Sequence, residues 1–326
     1  MSRVVITGGT GFVGANLVRR LIQEGHQPAL IVRPGHASWR IDSIREQIAV
    51  HEVILSDPFA VLKALDTLRP AWIFHLAAHG AYSWEKDAAQ MIQTNVVGTA
   101  NLLEAASKTG VEAFVHAGSS SEYGRLGHAP SETEAGQPDT PYAITKAAAT
   151  ALCAVARNAS MRIRTLRLYS VYGPFEDPRR FLPSLIVHGL RGVLPPLVSP
   201  QTARDFVYVD DVLDAFLLAA RDTSSEAGAI YNIGTGVQTT IGDAVEAARR
   251  VMGIATEPAW GTLPARAWDT DTWVADTRKS REVLQWSVRH TFEDGLEKMI
   301  AWLTRDPVLR ERYETAWPVR CCRACT

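Results

Sequence analysis

Residues 7–14 read Thr-Gly-Gly-Thr-Gly-Phe-Val-Gly and follow directly on the apolar run Arg3-Val4-Val5-Ile6. Beyond them, Ala15 to Ile22 carries apolar residues at helical spacing. A β-branched run, a glycine turn and an amphipathic segment in that order predict a strand, a tight turn and a helix. Gly9, Gly11 and Gly14 fit G-x-G-x-x-G, and Gly8, Gly11 and Gly14 fit the looser G-x-x-G-x-x-G. Such a turn leaves no room for Cβ. Its backbone must also approach a pyrophosphate on the helix N-terminus, where free N–H groups and the dipole favour anions. A plain tight turn explains the glycines alone. Their placement between strand and helix points to a bound dinucleotide.

The rest of the chain suits that reading. Its 326 residues allow one large or two modest domains, and 46% hydrophobic with 21% charged residues is ordinary globular composition. A net charge of −1 gives no basic surplus for nucleic acid or anionic lipid. No apolar stretch approaches the roughly 20 residues of a membrane span, and the first residues lack a signal-peptide pattern, so a cytoplasmic protein is expected. Cys153 stands alone, while Cys321, Cys322 and Cys325 crowd the C-terminus. Three thiols without a histidine make an incomplete zinc site, so a tail with reactive thiols and no metal is the expectation.

Strand and helix signals alternate through the first half, which predicts α/β architecture with a helix-covered parallel sheet. Strands are expected at 29–32, 50–55, 71–76, 113–117 and 162–168. Long helices are expected from Ala88 to Lys108, ended by Gly110, and from Pro141 to Asn158. After Tyr172-Gly173-Pro174 the elements shorten, with one more helix at 210–220 and one more strand at 229–233. Residues 258–271 read as an irregular loop.

Tyr142-Ala143-Ile144-Thr145-Lys146 places a phenol and an ammonium four residues apart, on one face of the second long helix. A free tyrosine, with a pKa of about 10, is a poor acid–base group at neutral pH, and a nearby cation lowers that value. Ser119-Ser120-Ser121 follows the fifth strand at its carboxyl end, where open α/β sheets place ligands. A hydroxyl there could hydrogen-bond a carbonyl or alkoxide oxygen. A solvated helix face and a serine-rich turn are the plainer explanations of each motif taken singly.

Together these residues carry a resemblance. The chain resembles the extended short-chain dehydrogenase/reductases, in particular the nucleotide-sugar epimerase/dehydratase group. The likeness covers about residues 3–300. It rests on Thr7–Gly14, His75-Leu76-Ala77-Ala78, Asn95 with Gly98-Thr99, the Ser119 cluster, Tyr142 with Lys146, Tyr172-Gly173-Pro174, Arg204 to Val212, and Tyr231-Asn232-Ile233-Gly234.

The resemblance implies a Rossmann-type doubly wound parallel sheet with a smaller C-terminal substrate-binding lobe. Residues 1–172, with a return of 205–233, would form the NAD(P)-binding domain. Residues 173–204 and 234–310 would form the lobe, and 311–326 a tail. Tyr142 would be the acid–base group, Lys146 would lower its pKa and hold the nicotinamide ribose, and Ser119 would hydrogen-bond the reacting oxygen. Gly8, Gly11, Phe12, Val13, Gly14, Leu76, Ala77, Ala78 and Asn95 would line the cofactor, with Asp57 at the adenine. Ser120, Ser121, Arg204 and Arg266 would contact a nucleotide-sugar substrate, the arginines gripping its diphosphate. A homodimer through the helix after Ala88 and the helix carrying Tyr142 is also implied.

Two departures narrow the function. Relatives that prefer NAD usually end the second strand with an acid that binds the ribose 2′-hydroxyl. Here the run is Ile31-Val32-Arg33-Pro34-Gly35-His36. Arg33 suits a 2′-phosphate, so NADP(H) is favoured, with NAD(H) the alternative. Dehydratases of the group resemble one another in an Asp-Glu pair directly after the Ser/Thr. This chain has Ser120-Ser121 there, with Glu122 one position late. The expected reaction is NADPH-dependent reduction of an NDP-4-keto-(6-deoxy)hexose at C4. A 4-epimerase that keeps its NAD is the alternative. A 4,6-dehydratase and a non-catalytic cofactor sensor fit less well.

Overall fold

The computed structural model describes residues 2–156, 161–223, 226, 228–264 and 269–317. Seven parallel strands form the central sheet: β1 (Arg3–Thr7), β2 (Gln27–Val32), β3 (Ala49–Glu52), β4 (Trp72–His75), β5 (Ala113–Ser119), β6 (Arg162–Leu168) and the later strand Ala229–Ile233. Their spatial order is β3, β2, β1, β4, β5, β6, then Ala229–Ile233. The order reverses between β1 and β4, which opens a crevice at the carboxyl ends of the strands. Thr7 of β1 lies beside Ile31 on one side and His75 on the other.

Both faces of the sheet are covered by helices. Helices α1 (Phe12–Gln23), α2 (Pro58–Leu68), α3 (Ala88–Met91), α4 (Gly98–Thr109) and α5 (Pro141–Val155) belong to the first half. On one face α2, α4 and α5 bury Val61, Leu65, Leu102, Ala106 and Cys153 against Val5, Ile73, Phe114 and Ile163. On the other, α1 packs with a later helix, Val209–Arg221, over Val4, Ile6, Phe74 and Val115. The helix expected from Ala88 to Lys108 is continuous, but residues Ile92–Val97 form a π-helical turn between α3 and α4. Gly110 ends it in the left-handed conformation (φ 77°), as the sequence suggested.

The later helices match those of the first half in length, contrary to expectation, while the later paired strands are short. They include a parallel pair, Ser170–Tyr172 with Phe206–Tyr208, and an antiparallel pair, Ala203–Arg204 with Thr239–Thr240. Helices Phe181–Gly189, Ile241–Met252 and Phe292–Arg305 carry the lobe's apolar faces. In the expected loop at 258–271, the described residues form neither helix nor strand. The helix Pro307–Thr315 runs into the stretch expected as a tail, and its fully buried Tyr313 donates to the Glu176 carbonyl at 2.5 Å. Tyr313 also packs on Trp39 and Trp302, so this helix closes over the loop that follows β2. Cys321, Cys322 and Cys325 lie outside the described residues.

Candidate active site

The glycine turn joins β1 to α1 at the crevice. Gly8 has φ +72°, and a Cβ there would lie 2.6 Å from the Ala77 nitrogen. A Cβ on Gly14 would lie 2.2 Å from the Gly8 carbonyl oxygen. Both positions therefore exclude any side chain. The helix begins at Phe12 with Gly11 as its N-cap and no side-chain hydrogen bond on its first N–H groups. Phe12 and Val13 thus present backbone donors at the positive end of a helix, and a pyrophosphate fits this cradle. Leu76 and Ala77 flank it, the Leu76 amide bonded to the Thr7 carbonyl and the Ala77 amide to the Thr7 hydroxyl. Ala78 is exposed in the same segment, directly before His79. Arg33 is exposed just past the end of β2. Asp57 accepts from the Phe59 and Ala60 amides as the N-cap of α2, at 3.0 Å each.

Asn95 sits in the π-helical turn, 1% exposed. Its oxygen accepts the His79 amide at 2.8 Å, and its nitrogen donates to the His79 carbonyl and the Thr145 hydroxyl, both at 2.9 Å. The Asn95 side chain is therefore spent on fastening the loop after β4 to α5. The wide π turn aims this one amide at both neighbours.

Tyr142 and Lys146 lie one turn apart on α5, which Thr140 caps and Pro141 starts. The Tyr142 phenol comes close enough to the Ser119 side chain, at the end of β5, for the serine to act on its ionisation. Burial pushes its pKa up to about 12, and Ser119 works against that rise. The Lys146 ammonium is turned toward β5. Lys146 Nζ donates to the Ala117 carbonyl at 2.5 Å and stands 3.4 Å from His116 Nε2. Burial pulls its own pKa down to about 8, opposed by the Glu122 carboxylate. Arg180 and Glu85 also act on the phenol through space, with opposite signs. Neither was legible in the sequence, since each arrives from a separate loop.

The serines form a short turn. Ser119 and Ser121 hydroxyls share a hydrogen bond of 2.7 Å, and the Trp273 indole donates to Ser120 at 3.2 Å. Glu122 does not face this group. Its carboxylate is buried, with one oxygen on the Ser119 amide at 2.7 Å and the other on Arg167 at 2.8 Å. Farther out, Arg204 pairs with Asp269 at 2.9 Å, its guanidinium 5.9 Å from the Trp273 ring. Asp269 also lines a groove of about 670 Å³ with Arg125, Asp139, Gln201 and Asp271. Sequence reasoning missed Asp269 and Trp273, which no periodicity marks. Arg266 lies outside the described residues.

A doubly wound sheet, a glycine cradle and a Ser–Tyr–Lys group at its carboxyl edge define a dinucleotide-dependent enzyme of the extended short-chain dehydrogenase type. Comparison with known proteins agrees. The model of the NAD dependent epimerase/dehydratase family matches residues 4–234. A UDP-glucose 4-epimerase of Mycolicibacterium smegmatis is 32% identical over 91% of this chain and 97% of its own length. A dTDP-glucose 4,6-dehydratase of Neisseria meningitidis is 28% identical over 93% of each. The crystal structure of UDP-glucuronic acid 4-epimerase from Bacillus cereus, bound to UDP-glucuronic acid and NAD, superposes with a TM-score of 0.80 at 27% identity, covering 93% of this chain and 99% of that one. The chain belongs to the NAD-dependent epimerase/dehydratase family.

Proposed function

We propose that this enzyme reduces the C4 ketone of an NDP-4-keto-(6-deoxy)hexose, with NADPH as the favoured reductant. The observation that carries the reading is the placing of Tyr142, in the first turn of α5, beside the Ser119 hydroxyl at the end of β5, with desolvation holding the phenol's proton above neutral pH. Such a pair is set to give a proton rather than take one. When bound, NADPH supplies the hydride to C4. Tyr142 delivers the proton to the C4 oxygen, and Ser119 donates a hydrogen bond to that oxygen as charge develops. Lys146 holds the nicotinamide ribose. Arg33 stands where a carboxylate would disfavour a 2′-phosphate, which supports NADPH. Arg204 releases Asp269 to take the substrate diphosphate, with Ser120 and Ser121 at the sugar.

A second reading is a 4-epimerase with retained NAD, favoured by the epimerase among the full-length relatives. Its residues are the same, with Tyr142 first taking the proton and then returning it. The two separate in one experiment: denature fresh protein, identify any released nucleotide, then follow NADPH absorbance with a 4-keto-6-deoxy nucleotide sugar. An empty site with stoichiometric NADPH consumption supports the reductase. Retained NAD without net consumption overturns it in favour of the epimerase.

The same reading includes a cytoplasmic homodimer. Ile92 and Ile144, on the two helices expected to pair, are 49% and 54% exposed. Exposed apolar side chains on adjacent helices suit a helix–helix interface.

A further inference from the structure

Four adjacent strands place a polar residue at the same level beneath the site. Thr7 pairs with His75, His75 with His116, and His116 with Thr165, in register across β1, β4, β5 and β6. All four are 1% exposed or less, and the two imidazoles lie 5.3 Å apart between centroids.

Donor accounting fixes the His75 tautomer. The Thr99 hydroxyl donates to the Asn95 carbonyl at 2.6 Å, so toward His75 Nε2 at 2.8 Å it can only accept. His75 therefore carries its proton on Nε2, and Nδ1 accepts from the Thr7 hydroxyl at 2.6 Å. That hydroxyl in turn accepts the Ala77 amide at 3.2 Å. His116 has the opposite arrangement. An ammonium can only donate, so the Nε2 that faces Lys146 must be bare. The proton then sits on Nδ1, which has no partner among the described residues. A buried donor left without an acceptor is unfavourable, and the bare Nε2 is what that arrangement secures.

We propose that His116 is a positioning residue for the reaction: its Nε2 accepts from Lys146 and, with the Ala117 carbonyl, holds the ammonium charged at the end of β5. The proposal rests on the reading of Lys146 as the group that holds the nicotinamide ribose. Two of the three N–H bonds of Lys146 are then fixed, and the third is left for the site. The other titratable groups around this pair are His75 from β4, Cys153 from α5, and Glu122 and Tyr142. Burial keeps His75 neutral, at about 3, and Cys153 protonated, at about 12. Glu122 supplies the nearby negative charge that favours the ammonium. Burial and the Lys146 charge together keep His116 itself uncharged.

The test compares wild type, His116→Phe and His116→Gln by fluorescence titration with NADPH and NADH from pH 6 to 10. Phenylalanine keeps the size and removes the acceptor. Glutamine restores an acceptor oxygen. Loss of a hydrogen bond to a charged group should move the alkaline midpoint of cofactor affinity down by about one pH unit in His116→Phe. The profile should return toward wild type in His116→Gln. A His116→Phe profile that superposes on wild type overturns the proposal, as does an equal shift in both variants. Should the Phe variant not fold, the imidazole ¹⁵N spectrum of wild type decides. A bare Nε2 throughout supports the proposal, and a protonated Nε2 overturns it. Parallel turnover assays test the reductase reading separately, because cofactor binding is scored without a sugar.

Discussion

Arg167 donates from Nε to Glu122 at 2.8 Å inside the protein, and the other oxygen of that carboxylate accepts the Ser119 amide. The guanidinium lies 4.4 Å from the centroid of the Tyr123 ring, whose hydroxyl continues to Asn232. Glu122 is therefore fastened beneath Ser119, the hydroxyl proposed to meet the reacting oxygen. A carboxylate committed to an arginine and an amide cannot serve as the base that eliminates water.

Glu122→Ala should destabilise the fold by about 3–5 kcal/mol, because Arg167 would remain buried without its counter-charge. Urea unfolding followed by circular dichroism measures this. A loss below about 1 kcal/mol, typical of an exposed pair, would show that the ion pair carries little.

Tyr142→Phe removes the proton donor and leaves the ring packing in place. Turnover should fall by at least about 100-fold, with melting temperature and cofactor affinity close to wild type. Retained turnover would mean that another group supplies the proton.

Arg33→Asp should reverse the cofactor preference. A carboxylate accepts the 2′-hydroxyl of NADH and repels the 2′-phosphate of NADPH. The ratio of kcat/KM for NADPH over NADH should fall by roughly tenfold or more, equivalent to about 1.4 kcal/mol. An unchanged ratio would place cofactor selection elsewhere in the loop.

Glu176 provides a stability signature. Burial raises its pKa from 4.5 to about 7, with Arg180 opposing. Between these values the folded chain keeps a proton that the unfolded chain has lost, so this group's contribution falls as pH rises through that window. The difference amounts to roughly 3 kcal/mol at full effect. Glu176→Gln should be about as stable as wild type at pH 4.5 and more stable by pH 7. Parallel unfolding curves at both pH values would disprove it.

Light scattering at micromolar concentration should give a dimer mass. Ile144→Glu, which puts a charge on the exposed face of α5, should shift it toward monomer. A monomeric wild type removes the interface.

Much of this was legible in the chain because the signals were local. The glycine turn, Pro141 at the start of its helix and Gly110 at the end of its helix act through their own backbone, and each sits where the sequence put it. Strands 162–168 and 229–233 fall where the sequence placed them. What escaped reading depends on partners far apart in sequence. Asn95 stood out because its neighbours match the family pattern, but its bonds to His79 and Thr145, sixteen and fifty residues away, were not readable. Lys146 was placed one turn from Tyr142 by spacing, but its bond to the Ala117 carbonyl of β5, twenty-nine residues earlier, left no sign in the chain. Glu122 resembled a displaced catalytic acid until Arg167, forty-five residues later, accounted for its charge.

The π-helical turn at Ile92–Val97 amounts to one residue more than a regular helix would use there. Deleting a single residue within it would let the segment close into a regular helix, with Leu102, Leu103 and Ala106 still on the sheet. Asn95 would lose its aim at Thr145. The extra residue thus serves the loop after β4 and α5 rather than the core, and the core would tolerate its loss.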